Sequence, residues 1–150
     1  DGFMASRLTT QSKTDCLYYQ RKLEPTPYIT KEEDFSALYM NGREVFKTGV
    51  LSSSRDISYI LKEAGLTPGD VKYYVLHQAN MRIIEAVIKR LGLEPEKVPS
   101  NIERMGNTSS ASLPILLDEL NREGKLRTGM KLVMAGFGAG LTWGAGYITT

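Results

Sequence analysis

A chain of 150 residues that is 41% hydrophobic and 24% charged, with 14 Gly and 6 Pro, has the composition of one ordinary globular domain and excludes a disordered or fibrous chain. Nineteen Lys and Arg against 17 Asp and Glu leave a formal charge of +2 without a basic stripe, so nothing in the electrostatics points to nucleic acid. One cysteine, Cys16, and one histidine, His77, exclude an intrachain disulfide and a Cys/His zinc site and fit a reducing cytoplasm. No apolar run reaches the roughly 20 residues of a membrane helix and no signal peptide opens the chain, so a membrane is not an expected partner. The first residue is Asp1 rather than Met, as in a processed or partial chain.

Residues 1–43 are polar and turn-rich, with Gly2, Pro25, Pro27 and the charged run Lys31-Glu32-Glu33-Asp34. They read as loop with at most two short strands, one of them over 16–19. From Glu44 the pattern changes. Phe46, Val50, Ser53, Ile57, Ile60, Leu61 and Ala64 step by threes and fours, which predicts a helix ending at Gly65. Residues 67–70 supply a turn or a short capped start, and 71–76 form a β-prone run that leaves His77 at a strand end. Met81 to Leu91 is helical, with Asn80 as its cap and Gly92 as its stop. A short strand through Val98 is expected before the polar string 101–107. Ser109 or Ser110 then caps a helix carrying Leu113, Leu116, Leu117 and Leu120, in which Pro114 is tolerable only near the first turn. Residues 131–135 and 141–148 read as closing strands around Gly136-Phe137-Gly138-Ala139-Gly140. The alternation is that of the α/β class, with its core in 44–150.

His77, between a strand and a helix, stands where open α/β sheets place ligand-binding groups. Alone it is more often a hydrogen-bonded structural residue than a catalyst, and Asn107, thirty positions later, is by itself a helix cap. The pair says more than either member, because adjacent strand-to-helix turns can aim both into one crevice. A neutral imidazole N–H and an amide NH₂ are donors suited to a developing oxyanion. The glycine run does not fit a dinucleotide loop, since the third glycine would fall at Leu141 and a strand follows. It brings backbone N–H groups close to a substrate carbonyl or makes a tight hairpin, with little to choose between the two. Cys16 has no glycine turn or helix start to lower its pKa and reads as structural.

Three motifs stand in order: His77-Gln78-Ala79-Asn80 with Arg82, Gly106-Asn107-Thr108-Ser109-Ser110-Ala111-Ser112, and Gly136-Phe137-Gly138-Ala139-Gly140-Leu141-Thr142-Trp143-Gly144. With Met40-Asn41-Gly42-Arg43-Glu44-Val45-Phe46-Lys47 upstream, they resemble the β-ketoacyl-acyl-carrier-protein synthase III family, condensing enzymes of the thiolase-like fold that initiate fatty-acid synthesis. The resemblance implies the C-terminal half of a layered α/β/α/β/α architecture, beginning in the loop after that half's first strand. The nucleophilic cysteine belongs to the N-terminal half. Acyl-CoA and malonyl-carrier protein are then the substrates, with no permanently bound cofactor or metal, and the expected partners are the acyl carrier protein, the N-terminal half and a second copy in a homodimer.

The family's roles fall on this sequence as follows. His77 and Asn107 match the pair that binds the malonyl thioester carbonyl while carbon dioxide leaves. Ala139 matches the backbone N–H of an oxyanion hole, and Phe137 an aromatic beside the nucleophile that helps exclude water. Arg82 matches an arginine that docks the carrier protein, with Gln78, Ala79, Asn80 and Met81 beside it; a surface salt bridge is the competing reading of Arg82. Met40, Gly42, Phe46, Ala79 and Asn80 fall on the pantetheine tunnel. Relatives that make polyketides or branched starters share this chemistry, and a non-catalytic remnant of the fold is the other alternative.

Overall fold

The computed structural model describes residues 2–18, 27 and 38–150. Its main sheet has four strands in the order β1-β6-β5-β4, made of β1 (Gly2–Thr10), β4 (Tyr73–Leu76), β5 (Lys131–Gly138) and β6 (Thr142–Thr149). β4 and β5 run parallel, while β6 is antiparallel to both β5 and β1. A small antiparallel ribbon joins β2 (Leu17–Tyr18) to β3 (Tyr39–Met40). Pro25 and the charged run 31–34 lie outside the described residues.

Helix α1 (Gly42–Glu63) starts where the Asn41 side chain accepts a hydrogen bond from the Glu44 N–H, and the chain leaves it through Gly65 at φ 65°. Its Val50, Ile57, Ile60 and Leu61 pack with Ile83, Ile84 and Val87 of α2 (Met81–Leu91) over Tyr74, Leu76, Val133, Ala135, Ala145 and Tyr147 of the sheet. This is the 3.6-residue stripe expected from the sequence. At the start of α2 the Asn80 side chain accepts from the Arg82 N–H, and Gly92 closes the helix at φ 62°. On the other face α4 (Ser112–Arg122) sets Leu116 and Leu120 against Val75 of β4. Parallel β4 and β5 with helices on both sides form the expected α/β layering. Among the described residues no helix is long and apolar enough to cross a membrane.

Several expectations need correction. Residues 2–10 are not loop: they form the nine-residue β1, so the described chain includes this sheet's edge strand rather than beginning after it. The strand escaped notice because its pattern is inverted. The large apolar residues Phe3, Met4 and Leu8 are 65%, 56% and 82% exposed, while Ala5, Arg7 and Thr9 are partly buried. Arg7 lies 3.5 Å from the buried carboxylate of Asp56 on α1 and tethers the strand to that helix. Val98 is buried but follows a single 3-10 turn, Pro95–Lys97, instead of entering a strand. The polar string holds the one-turn helix α3 (Ile102–Met105). Neither Ser109 nor Ser110 caps α4: they belong to a 3-10 turn, Ser109–Ala111, that feeds directly into it. Pro114 does fall in the first turn of α4. The glycine run is mostly strand, since β5 continues to Gly138 and leaves only the tip at 139–141 as a turn.

Candidate active site

The parallel ladder sets up the site. β4 ends at Leu76, but the His77 N–H still donates to the Ala135 carbonyl at 2.8 Å, holding the residue against β5 before the chain turns toward α2. His77 Nδ1 is 2.7 Å from Ser112 Oγ at the start of α4. The Phe137 ring meets the imidazole edge-on, with centroids 5.4 Å apart. Burial lowers the His77 pKa from its ordinary 6.5, which favours the neutral ring at pH 7. Asn107 lies between α3 and α4, where its Oδ1 accepts from the Ser109 N–H at 2.9 Å. That bond leaves the amide NH₂ as a donor. Ser109 follows at φ 55°, a conformation that costs energy outside glycine and recurs at functional turns.

A cavity of about 1030 Å³ is lined by both donors. Phe137 and Ala139 line it as well, from the end of β5 and the hairpin tip. Met40, Gly42 and Phe46 contribute from the β3–α1 side, and Ala79, Asn80 and Arg82 from the start of α2. Residues far apart in sequence thus converge, as the order of motifs implies. Arg82 is exposed, its guanidinium 5.9 Å from the Phe46 ring. Arg43, one turn earlier on α1 than Phe46, also lines the cavity and was not singled out from the sequence; a lone arginine in a helix start carries no distinguishing pattern.

Two of the expected carrier-protein contacts are placed otherwise. Gln78 is fully buried: its Nε2 donates to the Leu76 carbonyl at 2.8 Å, and its Oε1 accepts from Ser100 Oγ at 2.7 Å and the Asn101 N–H at 3.2 Å. Asn101 in turn donates to Glu119 of α4 at 2.8 Å. Gln78 therefore ties the His77 turn to the segment carrying Asn107, and its side chain lies beneath the surface that a partner would meet. Met81 is half-buried against the main core and does not line the cavity. Cys16 is buried with Leu141 and Trp143 and donates its thiol hydrogen to the Lys13 carbonyl at 3.3 Å, in keeping with a structural role.

Two neutral donors, an aromatic wall and a mostly apolar cavity can hold a polar carbonyl at the end of a long flexible ligand. Residues 61–150 match the family described as 3-oxoacyl-[acyl-carrier-protein] synthase III, C terminal. The β-ketoacyl-[acyl-carrier-protein] synthase III of Synechocystis sp. is 41% identical over 154 residues, covering 99% of this chain and 46% of that protein. The corresponding protein of Symbiobacterium thermophilum is 43% identical over 96% of this chain and 44% of its own length. The crystal structure of the Thermus thermophilus synthase III superposes with a TM-score of 0.87 at 41% identity, over 99% of this chain and 46% of that one. The chain thus spans about half the length of the relatives it matches. The Xanthomonas campestris OleA structure, at 17% identity and a TM-score of 0.80, shares the fold alone. With its thiolase-like fold, the chain belongs to the β-ketoacyl-[acyl-carrier-protein] synthase III family, as the C-terminal half of such a synthase.

Proposed function

We propose that this chain supplies the malonyl-binding and decarboxylating half of a synthase that condenses an acyl-CoA starter with malonyl-carrier protein. The observation that carries the proposal is the convergence of His77 and Asn107 on one cavity, each with one polar atom engaged by the protein and another available as a donor. In the reaction, the bond between the malonyl carboxylate and its methylene carbon breaks and carbon dioxide leaves. The electron pair passes into an enolate whose negative charge rests on the thioester oxygen. His77 and Asn107 hydrogen-bond that oxygen, and bonds of this kind are strongest when the charge is present. The enolate carbon then attacks the acyl thioester formed on a cysteine of the N-terminal half, expelling its thiolate. The Ala139 N–H contributes to the hole for the acyl carbonyl, and Phe137 keeps water from the enolate.

Met40, Gly42, Phe46, Ala79 and Asn80 line the path of the phosphopantetheine arm, and Arg82 at its mouth faces an acidic carrier protein. The apolar β1 face bearing Phe3 and Leu8 suits contact with the N-terminal half, within a cytoplasmic homodimer. No bound cofactor is required for these steps, because no net oxidation or reduction occurs and the expelled thiolate regains its proton from solvent.

The test is to measure the two half-reactions separately in the complete synthase. His77→Ala and Asn107→Ala should each lower malonyl decarboxylation by roughly 10²–10³, the usual cost of one oxyanion donor, while acylation of the cysteine stays near normal. A mutant that decarboxylated at the wild-type rate would return its residue to a structural role.

A further inference from the structure

We propose that Ser112 is a positioning residue that fixes the tautomer of His77, holding the imidazole proton on Nε2; the consequence for catalysis rests on the oxyanion role given to His77 above. Ser112 is the first residue of α4 and is 1% exposed. Its Oγ has two neighbours: His77 Nδ1 at 2.7 Å and the Gln78 backbone nitrogen at 3.3 Å. The Gln78 N–H can only donate, so Ser112 Oγ accepts there. Among the described residues Nδ1 is the one hydrogen-bond partner left for the hydroxyl's own proton. The O–H therefore donates to Nδ1, and a nitrogen that accepts cannot carry a proton in the neutral ring. The imidazole N–H is left at Nε2, on the edge of the ring away from Ser112.

The other tautomer would present a lone pair at Nε2 and repel a thioester oxyanion. The lowered His77 pKa is consistent with this arrangement, because a neutral ring is the one in which tautomer choice matters. Gln78 takes part twice, since its N–H orients the serine hydroxyl while its fully buried side chain holds the turn in place. The link joins the end of β4 to the start of α4, so the packing of α4 on the sheet also sets the rotation of the imidazole.

The experiment uses the complete synthase labelled with ¹⁵N-histidine, with the His77 signals assigned by their loss in His77→Gln. Long-range ¹H–¹⁵N correlations then report which ring nitrogen carries the proton. The wild type should show Nε2 protonated and Nδ1 bare. Ser112→Ala should introduce an Nδ1–H population and lower malonyl decarboxylation about tenfold, the scale of one lost hydrogen bond, with cysteine acylation unchanged. Ser112→Thr, which keeps the hydroxyl, should restore both the tautomer and most of the rate. Nδ1 protonated in the wild type, or Ser112→Ala leaving tautomer and rate unaltered, would overturn the inference while the decarboxylation proposal stood. Undiminished decarboxylation by His77→Ala would overturn that proposal and leave the tautomer result untouched.

Discussion

His77 and Asn107 are oriented by the same device. Each spends one polar atom on the frame, Nδ1 on Ser112 and Oδ1 on the Ser109 N–H, which limits rotation before any ligand arrives. Arg82 differs in being exposed, with the Phe46 ring beneath it at 5.9 Å. At the mouth of the cavity such a charge acts by long-range attraction, which salt screens over about 8 Å at physiological ionic strength. Arg82→Ala in the complete synthase should raise the KM for malonyl-carrier protein and flatten its salt dependence, with acetyl-CoA kinetics nearly unchanged. Steady-state measurements over a salt series check this, and equal damage to both substrates would mark Arg82 as a residue that maintains the fold. In the sequence His77 and Asn107 stand out as a pair, each ahead of a helix start, His77 after the β-prone run 71–76 and Asn107 at the end of the polar string 101–107. The resemblance implies a carrier-protein contact at Gln78 from its nearness in sequence to Arg82, which does not fix where a side chain in a turn points, and here it points inward to Ser100 and Asn101.

At the scale of elements, the cavity wall depends on how closely α1 approaches β5. A Cβ on Gly49 of α1 would lie 2.7 Å from Cζ of Phe137, so only glycine leaves the ring in its present place against His77. Gly49→Ala should gain up to about 1 kcal/mol of helix propensity and lose about 1–3 kcal/mol to overpacking. The net change in stability should be small, because the ring can swing toward the cavity, but it can do so only by disturbing the site. Decarboxylation should fall several-fold more than stability explains, which a thermal melt and a malonyl-decarboxylation assay on the same complete-synthase variant would reveal. Helices α1 and α2 were readable from their 3.6-residue stripes, and α2 also from its Asn80 cap. β1 was not, because its large apolar residues face away from α1 and Leu8 instead lies over Gly144 of β6, where a Cβ would meet Leu8 Cδ2 at 2.5 Å. That pairing is set by a strand more than a hundred residues away in sequence, so no local window contains it.

For the whole molecule, the sheet is covered by α1 and α2 on one face, while on the other α4 packs over β4 and leaves Phe3 and Leu8 exposed. An uncovered apolar face of this kind favours association, and the relatives are about twice as long as this chain. The proposed chemistry divides in the same way. The donors that the proposal assigns to decarboxylation lie in this chain, whereas its one thiol is buried beside Leu141 and Trp143 and bonded to a backbone carbonyl. Thiols in such surroundings are poor nucleophiles. The central claim is that this half stabilises the enolate and the other half carries the acyl group, and the most direct measurement is covalent labelling with radioactive acetyl-CoA followed by peptide mapping. The complete synthase should carry label on a cysteine outside residues 1–150, and the 150-residue chain by itself should carry none. Stoichiometric label on Cys16 would contradict the account.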